Sequence, residues 1–258
     1  MLGEECNGVE IRLAGKKRIT IYALCLAAAI AGMAGTASAR RARPAVMPQG
    51  SSNPHVVLTP DKGKFRILLD GHEVGSEEFE ISPSGATWMA RGATSAHVPG
   101  GAEFKASGQL KLSADGLPIH YDWSAQVQKK AIGAVDFKNG TAKCAASVGT
   151  GSPILKDFIF KSPRIVVLDN NLYYQYALLA QIYDWQAGGK QTFPVLIPQD
   201  MTPGSVSVES LGQQQVENAS YETLRVSTAD LQIMLYVDSN HHMVRLEVPS
   251  SKVVVERE

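Results

Sequence analysis

The chain has little cysteine and no excess of charge of either sign. It contains 3 cysteines among 258 residues, and only Cys144 lies after residue 39. Residues 40–258 therefore hold no second cysteine for an internal disulfide, and their fold must depend on a hydrophobic core, which a chain of this length can bury. The 25 basic residues are balanced by 25 acidic ones, so the basic footprint of a nucleic-acid-binding protein is missing.

The first 39 residues have the three parts of a secretory signal peptide. Lys16-Lys17-Arg18 precede an apolar run over residues 19–35, and Thr36-Ala37-Ser38-Ala39 supplies the small residues of a cleavage site. The run is shorter than the ~20 residues that a membrane-spanning helix needs, although an uncleaved anchor is the alternative. We predict a cleaved signal at residues 1–39, a periplasmic or secreted protein, and no transmembrane segment after cleavage.

The remaining chain divides into a linker and one domain. Residues 40–61 are rich in Arg, Pro, Gly and Ser, a composition that buries little apolar surface and predicts a flexible linker. Residues 62–258 are dominated by an alternation of apolar and polar residues, which predicts half-buried strands. The clearest strand covers residues 119–127, with Trp123 on its apolar face. Asp70-Gly71 and Asn139-Gly140 predict tight hairpin turns.

One segment breaks the alternation and predicts a helix. Residues 172–185 are apolar on most faces of a helix, which indicates that the helix is buried. Asp169 or Asn170 can cap its start, and Gly188-Gly189 can end it. We therefore predict a mainly β fold, in which a curved antiparallel meander, between a half-barrel and a barrel, encloses one central apolar α-helix.

Two short motifs carry a resemblance to known proteins. Gly63-Lys64-Phe65-Arg66-Ile67 and Gly71-His72-Glu73-Val74-Gly75 form an opening that resembles bacterial secreted families of unknown function. The likeness extends to the apolar helix and to the late strand at Leu235-Tyr236-Val237-Asp238. A curved sheet with one central helix is also similar to the half-barrel of the periplasmic lipoprotein-carrier (Lol) proteins. The resemblance implies an architecture over residues 62–258 and transfers no ligand-binding position.

The sequence contains no assembled catalytic or metal-binding motif. It lacks the Gly-x-Ser-x-Gly elbow of many hydrolases, and His72-Glu73 is not followed by the second histidine of a helical zinc site. His241-His242 point to opposite sides of an extended chain, while His97 and His120 have no acid or cysteine at ligand spacing. We expect no catalytic residue, no metal and no cofactor.

Two acids and one thiol are the remaining candidates for chemistry. Asp122 and Asp184 each lie beside a tryptophan, and an apolar wall can raise the pKa of a carboxyl group enough to make it a general acid. Asp122, however, falls on the polar face of its strand, and Asp184 falls at the end of the helix, so we interpret both as solvated. Cys144 falls on an apolar face and is interpreted as a buried small side chain.

The aromatic residues around the helix are the predicted ligand-binding set. A buried tyrosine hydroxyl needs a partner, so these side chains either line a groove for a lipid or simply plug the sheet. The set consists of Tyr173, Tyr176, Leu179, Tyr183, Trp185 and Trp123. We predict a binding module that holds a lipid, another apolar ligand or an envelope protein. The alternatives are an envelope hydrolase that uses carboxylates and a structural surface protein.

Overall fold

The computed structural model describes residues 58–97 and 101–258, so the predicted signal and residues 40–57 of the predicted linker lie outside it. Fifteen strands form one sheet. The strands are β1 (Asp61–Leu69), β2 (His72–Ser84), β3 (Thr87–His97), β4 (Glu103–Leu112), β5 (Pro118–Gln126), β6 (Lys130–Lys138), β7 (Thr141–Val148), β8 (Ile154–Ile159), β9 (Val166–Val167), β10 (Lys190–Ile197), β11 (Thr202–Val216), β12 (Ala219–Ser227), β13 (Gln232–Val237), β14 (Met243–Val248) and β15 (Val253–Arg257).

The described part of the chain also has one α-helix, α1 (Tyr174–Ile182), and two short 3-10 helices at Pro198–Asp200 and Pro249–Ser251. Residues 58–61, at the end of the predicted linker, contribute a buried leucine, Leu58, and the first residue of β1. The helix lies between β9 and β10 in the chain.

The sheet consists of two meanders joined at one strand pair. Its spatial order is β8-β7-β6-β5-β4-β3-β2-β1-β15-β14-β13-β12-β11-β10-β9. We call β1–β8 the first arm and β9–β15 the second arm. Neighbouring strands are antiparallel except β9 and β10, which are parallel, and β1 pairs with β15. The result is a large curled sheet that does not close, because β8 and β9 remain at its two edges. The predicted mainly β antiparallel architecture is confirmed.

Side-chain alternation explains why the strands form a sheet with one buried face. Along β4, every second residue from Ala106 to Leu112 is buried, while the residues that alternate with them, Ser107, Gln109 and Lys111, are exposed. Each fully buried leucine contributes about 1.5–3 kcal/mol. Both predicted hairpins are present, and their turn residues have positive φ: 51° and 80° at Asp70 and Gly71, and 50° and 78° at Asn139 and Gly140. Asparagine, aspartate and glycine tolerate that conformation best.

Helix α1 is shorter than predicted and completely buried. All nine of its residues are buried, as the apolar pattern indicates, and it contacts β2 and β3 of the first arm and β13 and β14 of the second. It ends at Ile182 because Tyr183 is extended, with φ −59° and ψ 129°. Gly188 therefore does not end the helix; its N–H closes the next turn on the carbonyl of Asp184 at 3.0 Å.

Candidate functional site

The N-terminus of α1 rests on a carboxyl group from a distant strand. Glu77 lies on β2 and is fully buried. Its Oε2 accepts the backbone N–H of Tyr173 at 2.6 Å, and its Oε1 accepts that of Tyr174 at 3.0 Å. Burial raises the pKa of Glu77 to about 8, although these two hydrogen bonds act in the opposite direction. Glu77 thus satisfies two of the N–H groups that a helix start leaves free.

A second buried carboxyl group, Asp169, ties the start of α1 to β5 and to the turn after β10. Its Oδ2 accepts the hydroxyl of Tyr121 at 2.7 Å, and its Oδ1 accepts the N–H of Gln199 at 2.8 Å. Gln175 bridges the cluster, since its Nε2 donates to the Tyr121 oxygen at 3.0 Å and its Oε1 accepts the Asp169 N–H. Burial raises the pKa of Asp169 to about 7 against the effect of these donors.

The predicted caps at Asp169 and Asn170 are therefore wrong. The residue at the N-cap position is Tyr173, which makes no capping bond with its side chain, and the Asp169 oxygens are engaged elsewhere. One signal for Glu77 was present in the sequence: Glu77, Phe79 and Ile81 alternate, and the two apolar residues face the core. All four carboxyl oxygens of Glu77 and Asp169 accept hydrogen bonds from the protein, so the pair is suited to hold a helix in place.

The predicted aromatic set is divided between two places. Tyr173, Tyr176, Leu179, Tyr183 and Trp123 are buried, and Trp185 is half-buried. Tyr183 and Trp185 meet edge to face, with ring centroids 5.0 Å apart, just after α1. The Tyr183 hydroxyl donates to the carbonyl of Gly189 at 2.6 Å. Trp123 lies apart on β5, over Gly133, where a Cβ would come within 2.6 Å of the indole ring.

Two side-chain polar atoms of α1 are buried without a hydrogen-bond partner among the described residues. They are the hydroxyl oxygen of Tyr174 and the side-chain nitrogen of Gln181. The other amide atom of Gln181, Oε1, accepts the N–H of Thr59 at 3.0 Å. Buried polar atoms are normally paired, so leaving these two without a partner is unfavourable for stability.

His120 corrects one expectation from the sequence. It lies between two acids on the outer face of the sheet: its Nδ1 is 2.7 Å from Asp136 and its Nε2 is 3.1 Å from Asp122. Asp122 is two residues along the same strand, and such residues share a face, so the expectation that His120 has no acid at ligand spacing is wrong. Burial lowers the pKa of His120, but the bonds to both acids and their charges raise it more, so the net shift is upward. Both acids are exposed, at 62% and 77%.

The structure gives the other two candidates, Asp184 and Cys144, structural positions. Asp184 closes a turn, since its Oδ1 accepts the N–H groups of Gln186 and Ala187 at 3.1 and 3.0 Å. Cys144 is buried, and burial raises the pKa of its thiol to about 11. Among the described residues, no group of three or more His, Cys, Asp or Glu side chains is placed to hold a metal ion.

The open edge, which we define as the outer edge of β8, exposes large apolar side chains. Ile154, Leu155 and Ile159 are 61, 74 and 87% exposed. β8 pairs only with β7, so one row of its backbone groups has no strand partner. Native edges are usually blunted by charge, proline or a covering segment; β8 carries one lysine and one aspartate, but exposed apolar side chains lie on both sides of these two charges. This edge is the strongest candidate for a binding surface.

None of the residues that line the following two cavities belongs to β8. A shallow groove of about 600 Å³ crosses β2 to β5 and includes Arg91 and Asp122. A smaller cavity of about 170 Å³ lies between residues 162–164 and residues 191–194. It also touches Ile182, the last residue of α1.

Comparisons with known proteins identify structures with a similar fold and indicate no activity. No protein-family model matches the chain, and no curated protein matches it. The structure is similar to the crystal structure of a β-barrel-like protein of domain of unknown function DUF1849 from Brucella abortus, with a TM-score of 0.50 and 11% identity over 77% of this chain and 94% of that one. A DUF1089 family protein from Pseudomonas aeruginosa gives a TM-score of 0.39 and 9% identity over 68% and 90% of the two chains.

The likeness to the Brucella abortus protein supports a barrel-like β fold. The resemblance to the lipoprotein carriers stays a prediction. Within residues 58–97 and 101–258, no helix has the length and apolar character required to cross a membrane.

Proposed function

We propose that the chain is a binding module that works outside the cytoplasm and recognises an extended segment of another polypeptide at the open edge. The observation that carries this proposal is the exposure of Ile154, Leu155 and Ile159 on an edge strand. An added strand would cover these side chains and pair the free backbone groups of β8, as in β-strand addition. A lipid chain could cover the side chains but could not pair the backbone, so a polypeptide fits this edge better.

The alternation of β8 gives the partner a chemical description. Leu155 and Ile159 lie on the outer face of the strand, and Ile154 lies on the other. A partner strand with apolar residues at alternate positions would bury them in cross-strand pairs, which contribute roughly 0.2–1 kcal/mol each. Lys156 and Asp157 lie between these apolar residues. A partner strand could therefore carry one acidic and one basic residue opposite them.

A labelled peptide that alternates valine and threonine tests the proposal. We expect it to bind the wild-type protein, and we expect a copy with N-methyl groups on alternate residues to bind poorly, because it cannot form the ladder. Leu155→Glu combined with Ile159→Glu should abolish binding. Ile132→Glu is the matched control, since Ile132 is 49% exposed but lies on β6, two strands from the edge. Equal binding of both peptides, or equal loss in the control, would contradict the proposal.

A second candidate function is the binding of a lipid or another apolar ligand beside α1, within a sheet that encloses the helix. The half-buried ring of Trp185, which packs against Tyr183 at the end of α1, favours it, because part of that ring is open to an apolar ligand. Titration with a fluorescent fatty acid tests this function separately. If Tyr176 and Tyr183 bind the head group, replacing both by phenylalanine should weaken binding by about 0.5–1.5 kcal/mol per hydrogen bond. Absence of binding to wild type would exclude this candidate and leave the open edge unaffected.

The proposed location has its own test. Cleavage after Ala39 should produce a protein whose N-terminus reads Arg40-Arg41-Ala42. Retention of residues 1–39 in the exported protein would refute the predicted cleavage.

A further inference from the structure

The free backbone groups of β8 belong to alternate residues. The N–H of Phe160, just past the strand, donates to the carbonyl of Gly140 at 2.8 Å, in register with the pairing of Phe158 and Ala142. Successive residues of a strand direct their N–H and C=O groups to opposite sides, so the even-numbered residues of β8 bond to β7. The residues whose backbone groups point away from the sheet are Leu155, Asp157 and Ile159.

These three residues also form a pattern that is symmetric about Asp157. Leu155 and Ile159 lie two residues before and two residues after it, and both are strongly exposed. An antiparallel partner strand that places a second Asp157 opposite the first therefore places Leu155 opposite Ile159 twice. Residues directly opposite each other share a face and pack together, so each exposed apolar side chain would be covered by one from the second copy.

A shift of the symmetry axis by one residue in either direction loses this match. With Lys156 on the axis, two lysines face each other and Leu155 is opposite Asp157. With Phe158 on the axis, Leu155 is opposite Lys161, which lies past the end of β8. Only the register centred on Asp157 brings the free backbone groups of the two strands together and also pairs their apolar side chains.

The two facing carboxylates are the unfavourable contact in this register. Like charges directly opposite each other weaken a strand pair. On the other side of Asp157, however, its cross-strand neighbour in β7 is Lys143. The row across the interface thus contains an aspartate and a lysine from each copy and has no net charge. Because the contact is limited to one strand of each copy, we expect a weak dimer that depends on concentration.

We propose that two copies of the chain pair through β8 in an antiparallel, two-fold symmetric dimer with Asp157 on the axis. This inference rests on the proposed function, because it names a second copy as the polypeptide that occupies the open edge. The other edge strand, β9, has only two residues, and both are buried, so β8 matches β8 better than it matches β9. A contact that uses the same surface in both copies closes and does not continue into a fibre.

Sedimentation equilibrium of the wild-type protein tests the dimer. We expect the average mass to rise from one chain towards two as the concentration increases. Asp157→Asn removes the like-charge pair at nearly constant shape and should tighten the dimer about two- to fivefold. Asp230→Asn, which removes an exposed acid of the second arm, is the control and should have no effect. A monomer at every concentration, or equal effects of the two variants, would overturn the proposal.

A disulfide across the axis tests the register. The Cα atoms of a hydrogen-bonded antiparallel pair are about 5.5 Å apart, a separation that a disulfide spans. Asp157→Cys should therefore give a dimer linked through residue 157 under mild oxidation. Lys156→Cys should link poorly, because residue 156 is opposite residue 158 in this register. Mass spectrometry identifies the linked residues, and equal or better linking through residue 156 would overturn the proposal.

The alternating valine and threonine peptide separates this inference from the proposed function. We expect the peptide to convert the dimer into monomers, since both need the same edge. A protein that binds the peptide but never dimerises would overturn the second copy as the occupant and leave the open edge as a site for other polypeptides. A dimer linked through residue 157 that fails to bind the peptide would support self-pairing and contradict the recognition of other strands.

Discussion

At the scale of single residues, Glu77 connects parts of the chain that are far apart, since 96 residues separate it from Tyr173, whose N–H it accepts. Its pKa is about 8 in the folded protein and near 4.5 without burial. The folded state therefore holds the proton more tightly. The contribution of Glu77 to stability is fully present below about pH 4.5 and is lost as the pH rises through 8. Asp169 acts in the same direction up to about pH 7.

We predict that the free energy of unfolding falls between pH 5 and 8, by at most about 1.4 kcal/mol per pH unit for each of these groups. Glu77→Gln removes one titrating group, so the slope should become clearly smaller and the variant should gain relative to wild type as the pH rises. Glu78→Gln, at an exposed neighbour, is the control and should leave the slope unchanged. Chemical denaturation at four pH values measures the effect; identical slopes for wild type and Glu77→Gln would refute it.

Trp123 tests whether the buried face of β5 is part of the core. Its side chain is only 6% exposed and packs over Gly133. We predict that Trp123→Ala lowers the free energy of unfolding by roughly 3–5 kcal/mol. Trp185→Ala removes the same ring from a half-buried position and should cost less. A loss below about 1 kcal/mol at Trp123 would mean that this face does not support the fold.

At the scale of elements, α1 approaches the sheet closely where two glycines are paired. Gly92 on β3 is opposite Gly108 on β4. A Cβ at Gly92 would collide with the ring of Tyr174 and would lie 2.5 Å from Oε1 of Glu77. At Gly108 it would lie 2.6 Å from the Tyr121 hydroxyl oxygen. The helix can sit this low on the sheet only because neither position has a side chain.

We predict that Gly92→Ala displaces the start of α1 and destabilises the protein by about 1–3 kcal/mol, the usual cost of overpacking. Gly204→Ala is the matched control, because a Cβ there meets nothing within 4 Å and its effect should be near zero. Thermal unfolding of both variants provides the comparison, and equal midpoints would show that α1 does not depend on this contact.

The elements differ in how well the sequence predicts them. Alternation depends on neighbouring residues, so β5 and the hairpins at Asp70-Gly71 and Asn139-Gly140 were predictable, as was the burial of α1. The cap of α1 was not predicted, because the acceptor, Glu77 on β2, reaches it only in the folded sheet. The exposure of β8 could not be predicted either, since an apolar strand at the edge of a sheet has the same sequence pattern as one in its centre.

At the scale of the whole molecule, the two arms are held together in the sheet by β15. Val255 is completely buried and is paired with Ile67 on one side and Leu246 on the other. An ion pair between Arg257 and the buried Asp61 adds a polar contact at the same seam. The strand order itself could not be read from local patterns, because the β1–β15 pairing joins residues at opposite ends of the domain.

We predict that Val255→Asp loosens both arms together, since an unpaired charge in the core is strongly unfavourable. Amide hydrogen exchange should accelerate in β2 and in β13 alike. Val254→Asp places the same charge on the partly exposed neighbouring position and should have a much smaller effect. Faster exchange confined to the second arm would show that the first arm is stable without the seam.

The β1–β15 pairing also sets an order of events during synthesis. β15 follows every other described strand in the chain, so a ribosome must finish all of them before the seam can form. Until then β1 has a free side in the middle of the future sheet, in addition to the edge of β8. Closing a loop of nearly two hundred residues costs more entropy than closing a hairpin, and such distant contacts slow folding. A nascent chain would therefore expose the free side of β1 for most of its elongation, and an unpaired strand edge promotes aggregation.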